Sequence, residues 1–146
     1  MKINELMIGI DCVFQSYKDV WEILKFNGID FEEYQFSVIF ENMINNLPEN
    51  FAPEYFKELI SKCEIFNFAL FHLYLPNDKK ECIVTLKDFF SSNCEMIVLI
   101  SDTCYVEIYC KKRDWLEIIY KNAVNIPKSI VEIKTTDNDS RTDLLI

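Results

Sequence analysis

Residues 65–75 constrain the fold more than any other part of the chain. They are almost continuously apolar or aromatic, and Pro76-Asn77-Asp78 closes the run. A bilayer span needs roughly 20 such residues, so this run reads instead as a β-strand covered on both faces. Its place near the middle of the chain makes it a central strand.

The remaining elements follow from periodicity and punctuation. Ile8, Ile10, Cys12 and Phe14 alternate with Gly9, Asp11 and Val13, which predicts a first strand with one apolar face. Ser16, with Asp19 three residues on, predicts a capped helix whose inward stripe is Val20, Ile23 and Leu24 and whose left-handed stop is Asn27-Gly28. From Tyr34 the positions Phe36, Val38 and Phe40 share one face of a second strand, and residues 41–50 read as a connection. Pro53 and Glu54 suit the first turn of a helix that carries Phe56, Leu59, Ile60 and Cys63 inward.

Thr85 and Asp88 form a capping pair for a short helical turn. Residues 95–100 and 104–110 flank Ser101-Asp102-Thr103 and predict an antiparallel hairpin. Its core face holds Cys94, Met96, Val98 and Ile100 with Cys104, Val106, Ile108 and Cys110. With all three turn residues in the loop, Cys94 faces Cys110; a change in loop length breaks that pairing. Asp114, with Glu117, predicts the start of a last helix that buries Leu116, Ile119, Tyr120 and Ala123 and ends before Ile126-Pro127. Residues 130–135 form another strand, and Leu144-Leu145-Ile146 is a final short strand or a docked apolar tail. The expected architecture is a single α+β domain over residues 1–146: one mixed, largely antiparallel sheet with about three helices packed mainly on one face.

Composition removes several kinds of chemistry. The formal charge is −9, and Arg113 and Arg141 are the only arginines, so a nucleic-acid partner is not expected. Gly9 and Gly28 are the only glycines, so no glycine-rich loop can bring backbone amides against a phosphate. The same scarcity removes the nucleophile elbow of α/β-hydrolases, and no H-E-x-x-H occurs. Six cysteines without C-x-x-C spacing, one histidine, and no signal-peptide pattern ahead of Asp11 predict a reducing cytoplasmic setting with the thiols acting as small buried hydrophobes. No membrane partner and no cofactor or metal are expected. Asp137, Asp139 and Asp143 superficially suggest a calcium loop, but no glycine supplies the turn and no glutamate closes the loop.

Two surfaces carry the positive signal. Asp30, Glu32, Glu33 and Glu41 flank the second strand and, with Tyr34 and Phe36, make an acidic, aromatic patch suited to a basic protein. On the hairpin's other face Tyr105, Glu107 and Tyr109 line up with Ile97 and Leu99, fit for a partner or for a covering segment of the same chain. His72 is the sole imidazole, and paired with a cysteine it is the one candidate for nucleophilic chemistry.

At the hairpin and last helix the chain resembles a family of small proteins from low-GC Gram-positive bacteria known as a domain of unknown function. The resemblance rests on Ser92-Asn93-Cys94-Glu95, Tyr105-Val106-Glu107-Ile108-Tyr109-Cys110-Lys111, Tyr120-Lys121-Asn122-Ala123 and Asp139-Ser140-Arg141-Thr142. It covers the C-terminal third to half and implies a compact bacterial α+β protein without assigning an activity or a site.

These readings favour a non-catalytic, acidic protein-binding module of inhibitor or immunity type. The alternative is a small-molecule-binding protein or enzyme with a pocket in the aromatic sheet. A homodimer formed through an exposed strand or hairpin face is the third reading.

Overall fold

In a computed structural model, the described residues are 7–42, 48–62, 67–136 and 144. In chain order the elements are β1 (Met7–Val13), α1 (Tyr17–Leu24), β2 (Gln35–Asn42), β3 (Asn50–Phe51), α2 (Tyr55–Ser61), β4 (Phe68–Tyr74), α3 (Leu86–Ser91), β5 (Met96–Ser101), β6 (Tyr105–Cys110), α4 (Arg113–Val124) and β7 (Ile130–Thr135). The strands form one sheet in the order β3-β2-β4-β5-β6-β1-β7, and every described pairing is antiparallel. The fold is α+β, as the sequence predicts, with four described helices in place of about three.

The apolar run settles as β4 in the sheet interior between β2 and β5, with residues 69–74 all buried. Alternate residues serve two different cores. Phe71 and Leu73 join the larger core under α1, α2 and α4, whereas Leu70 and Tyr74 join a smaller core under α3. The first is dominated by aromatic rings. Phe36 sits among Phe26, Phe31, Phe51, Phe56 and Phe71, with centroids 5.2–6.3 Å away. Burying each such side chain stabilises the fold by about 1.5–3 kcal/mol, and edge-to-face pairing adds to that.

The second core answers a question that the hairpin sequence leaves open. Ile97, Leu99 and Tyr109 pack under Phe89, Ile83, Leu86 and Leu144, so the chain covers that face itself. The Leu144 amide donates to the Val84 carbonyl at 2.6 Å, which docks the apolar tail at that point. Leu145, Ile146, Cys63, Asp137, Asp139 and Asp143 lie outside the described residues, as does the side chain of Ile60.

Several local expectations shift. The Thr85–Asp88 capping box is complete, with reciprocal side-chain bonds. Helix α4, by contrast, starts at Arg113, with Lys112 rather than Asp114 at the cap position, and the Lys112 side chain makes no cap bond. Helix α1 stops at Leu24, short of Asn27-Gly28, because Phe26 turns left-handed (φ 49°) to reach the aromatic core, with Gly28 (φ 89°) following. That backbone costs about 1–2 kcal/mol, which the burial of a phenyl ring offsets. In β2 a register shift between Val38 and Phe40 moves Phe40 off the core face and leaves it 49% exposed. The connection after Phe40 is shorter than the sequence suggests, since β2 runs on to Asn42 and β3 begins at Asn50.

The hairpin loop is Asp102-Thr103-Cys104, one residue later than expected, with Asp102 and Thr103 left-handed. Register therefore places Met96, not Cys94, opposite Cys110. Cys94 precedes β5 and belongs to the second core, while Cys110 belongs to the first, and both are free thiols.

Candidate functional site

The acidic patch is built on the loop between α1 and β2. Phe31 anchors that loop in the core, edge-on to Phe26 at 5.2 Å and to Trp115 at 4.9 Å. Burying Phe31 turns its neighbours outward: Asp30, Glu32 and Glu33 are exposed and Tyr34 is half-buried. The Glu32 amide donates to Asp30 Oδ1 at 3.2 Å, and the Tyr34 amide donates to the Phe31 carbonyl at 2.7 Å. Three carboxylates are thus displayed on backbone that is already ordered.

Beside the loop, a cleft of about 200 Å³ opens toward the start of α2, lined by Ile29, Phe31, Pro53, Asp30, Glu32, Glu54, Lys25 and Lys57. Three carboxylates face two ammonium groups there, and the Lys25 ammonium already pairs with Glu22 at 2.9 Å, so the cleft favours a cation.

Other residues assigned to this patch fall elsewhere. Phe36 is fully buried at the centre of the aromatic core and cannot meet a partner. Glu41 lies in β2 opposite Ala69, and its side chain is outside the described residues.

The hairpin residues form a different structure. Glu107 (3% exposed) and Tyr109 (0%) are buried, and Tyr105 is half-buried, so the first two cannot serve as contact surface. Register places Asp11 directly opposite Glu107 on one side and Glu132 on the other, a like-charged row that destabilises a sheet unless a cation intervenes. Lys134 supplies the cation. Its Nζ is 3.2 Å from Glu107 Oε1, 3.9 Å from Asp11 Oδ2 and 5.5 Å from the Tyr109 ring centroid. The Tyr105 hydroxyl donates to Asp11 Oδ2 at 2.7 Å, while Asp11 Oδ1 is buried and accepts no bond among the described residues.

Gly9 makes this geometry accessible. It stands between Lys134 and Tyr109 in one cross-strand row, and its missing side chain lets the lysine cross β1 to the ring. A Cβ there would also sit 2.3 Å from the Ile108 carbonyl oxygen.

His72 is 2% exposed on the second face, between Ser37 and Ile97 of the adjoining strands. Its Nδ1 lies 3.4 Å from the Tyr74 hydroxyl, which accepts from the Glu81 amide at 3.0 Å; Nε2 is buried and has no hydrogen-bond partner among the described residues. Desolvation, helped by Lys80, pushes the imidazole down to about 4, so it is neutral at pH 7. Cys94 shares this core, donates to the Met96 carbonyl at 3.2 Å, and is pushed up to about 12, chiefly by burial. A neutral imidazole and a protonated thiol, both enclosed, do not form the ion pair that activates a cysteine nucleophile. Cys12 and Cys110 are likewise raised to about 12 by burial. Among the described residues, no three His, Cys, Asp or Glu side chains gather in a way that could hold a metal ion, and no helix is long and apolar enough to cross a membrane.

A family model described as "Protein of unknown function (DUF2691)" matches residues 7–145. The chain belongs to this family. The resemblance first carried by the hairpin and last helix therefore extends over nearly the whole DUF2691 fold described above. The chain is also 40% identical over 62 residues to "Uncharacterized protein YncE" of Bacillus subtilis (strain 168). That match covers 42% of this chain and 40% of the relative's length. No solved structure matches.

In this DUF2691 member, sequence reasoning missed Trp115 and Lys112, which complete the acidic loop. The Lys112 Nζ lies 4.9 Å from the Trp115 ring centroid and 5.8 Å from that of Tyr34. Trp115 directly follows the expected helix start at Asp114 and lies outside the inward stripe read from the sequence, and nothing local links it to Tyr34. Asp11 and Lys134 were missed for the same reason, since register alone brings them to Glu107.

Proposed function

We propose that this protein is a non-catalytic, acidic protein-binding module whose partner is a basic protein. The observation that carries the reading is the loop of Asp30, Glu32 and Glu33, exposed and pinned to a rigid aromatic base through Phe31. A pre-ordered loop loses little conformational entropy on binding, and clustered carboxylates on a chain of charge −9 speed the approach of a basic surface. The adjoining cleft, lined by Asp30, Glu32 and Glu54, extends the same cation-favouring surface.

The test is affinity capture from the native lysate at physiological salt, comparing the natural chain with the triple variant Asp30→Lys, Glu32→Lys, Glu33→Lys. The expected result is a stoichiometric basic partner held by the natural chain and lost with the reversed charges. Capture of no such partner, or equal retention by both proteins, refutes the reading.

A further inference from the structure

Lys112 is half-buried at the start of α4, and its ammonium faces two ring systems at once. Tyr34 and Trp115 meet edge-on, with centroids 5.2 Å apart and planes at 78°. Phe31 braces Trp115 from a third direction at 4.9 Å. The charged form of Lys112 is favoured, first by Tyr34 and, against a desolvation that opposes it, by the nearby charges of Glu95 and Asp114. Trp115 is 7% exposed with Lys112 in place, and two aromatic walls covered by a cation in this way recognise an ammonium or guanidinium group, the more strongly as water is excluded.

Among the described residues Lys112 forms no salt bridge. The two rings are its side-chain contacts, so an incoming cation can match what it gives up. Asp30, Glu32 and Glu33 lie on the same loop as Tyr34, so the carboxylates that attract a basic partner and one wall of the clamp share a single segment of chain.

We infer that the Tyr34–Trp115 pair is the receptor for a cationic side chain of the protein partner, and that Lys112 is the chain's own occupant, displaced when that partner binds. This rests on the protein-binding reading for the class of partner, but the clamp can be tested without it. Lys112 then acts as an intramolecular competitor, lowering the affinity for every basic ligand and favouring those that bring additional contacts to the acidic loop.

The experiment uses the full chain carrying Lys112→Gln, with Lys121→Gln on the same helix as the control for loss of one positive charge and Lys112→Arg as the variant that keeps the clamp filled. The probes are tetramethylammonium chloride and a blocked hexa-arginine peptide. Binding is followed by the NMR signal of the Trp115 indole N–H, distinguished from that of Trp21 through Trp21→Phe. In Lys112→Gln, both probes are expected to move the Trp115 signal and to bind about two- to fivefold tighter than to Lys121→Gln, the range of a partly exposed cation–π contact. Lys112→Arg should stay at the natural affinity. Tyr34→Leu, which removes one wall, should abolish the tetramethylammonium response. Equal affinities for Lys112→Gln and Lys121→Gln overturn the inference. Peptide binding that leaves the Trp115 signal unmoved also overturns it, while leaving the protein-binding reading standing. A tetramethylammonium response without peptide binding supports the clamp and counts against a basic protein as its partner.

Discussion

Replacing His72 by Leu, a side chain of similar volume, tests how the second core treats a buried polar group. Taking the imidazole from its ordinary 6.5 to about 4 spans about 2.5 pH decades, which at 1.36 kcal/mol each is about 3 kcal/mol. The sign is fixed by which state binds the proton. As pH falls through 6.5 the unfolded chain takes it up, while the folded chain resists until about 4. The contribution to stability is therefore complete above pH 6.5, declines by about 3 kcal/mol between 6.5 and 4, and is flat below. His72 is the only histidine, so no other imidazole titrates in that window, and the carboxylates are common to both proteins. Urea unfolding of the natural chain and of His72→Leu at a series of pH values should give two curves that diverge by about 3 kcal/mol from neutrality down to pH 4, with the variant losing less. At pH 7 the variant should equal or exceed the natural chain, because the substitution removes the unpartnered Nε2, whose burial costs about 1–3 kcal/mol. Parallel curves over the whole range would refute the reasoning, as would an imidazole that titrates near 6.5 by NMR.

Gly9→Ala should cost at least about 3 kcal/mol, the upper end of overpacking, because its Cβ meets a strand carbonyl rather than a movable side chain; thermal unfolding checks this, and a loss under about 1 kcal/mol contradicts it. Phe36→Ala should cost about 3–5 kcal/mol in urea unfolding by opening a cavity between five other rings, and a near-neutral result would remove Phe36 from the core. Thr85→Ala should cost about 1 kcal/mol by removing the side chain that accepts from the Asp88 amide, read as a lowered unfolding midpoint. Under native conditions iodoacetamide should modify exposed Cys82 well before Cys12, Cys94 and Cys110, whose thiols burial raises to about 12; mass spectrometry before and after denaturation distinguishes them, and equal rates would contradict their burial.

The acidic loop shows how far a binding surface can be read locally. Asp30, Glu32 and Glu33 are exposed because Phe31, between them, is the residue worth burying, and that choice is visible in one short segment. Phe36, Glu107 and Tyr109 fail as surface residues because their exposure depends on what packs above them. For Phe36 that is the helical layer bearing Phe56, and for Tyr109 it is the cover bearing Phe89, Ile83 and Leu144.

What the amino-acid order determines by itself is what short-range physics decides: the strand forced by residues 65–75, the capping box at Thr85, the inward stripes of α1 and α4, and the absence of glycine-rich phosphate loops. Each depends on residues within about two helical turns of one another, where side-chain period and backbone preference act. Tertiary structure decides the rest. The register shift in β2, the hairpin loop at Asp102-Thr103-Cys104 and the early stop at Phe26 depend on strand pairing and core packing between segments far apart in the chain. The Asp11–Glu107–Lys134 cluster and the Tyr34–Trp115–Lys112 clamp depend on residues 27 to 123 positions apart in sequence whenever they cross between elements, and only sheet order and helix packing bring them together. The candidate site is therefore legible as charge in the sequence and as geometry only in the folded protein.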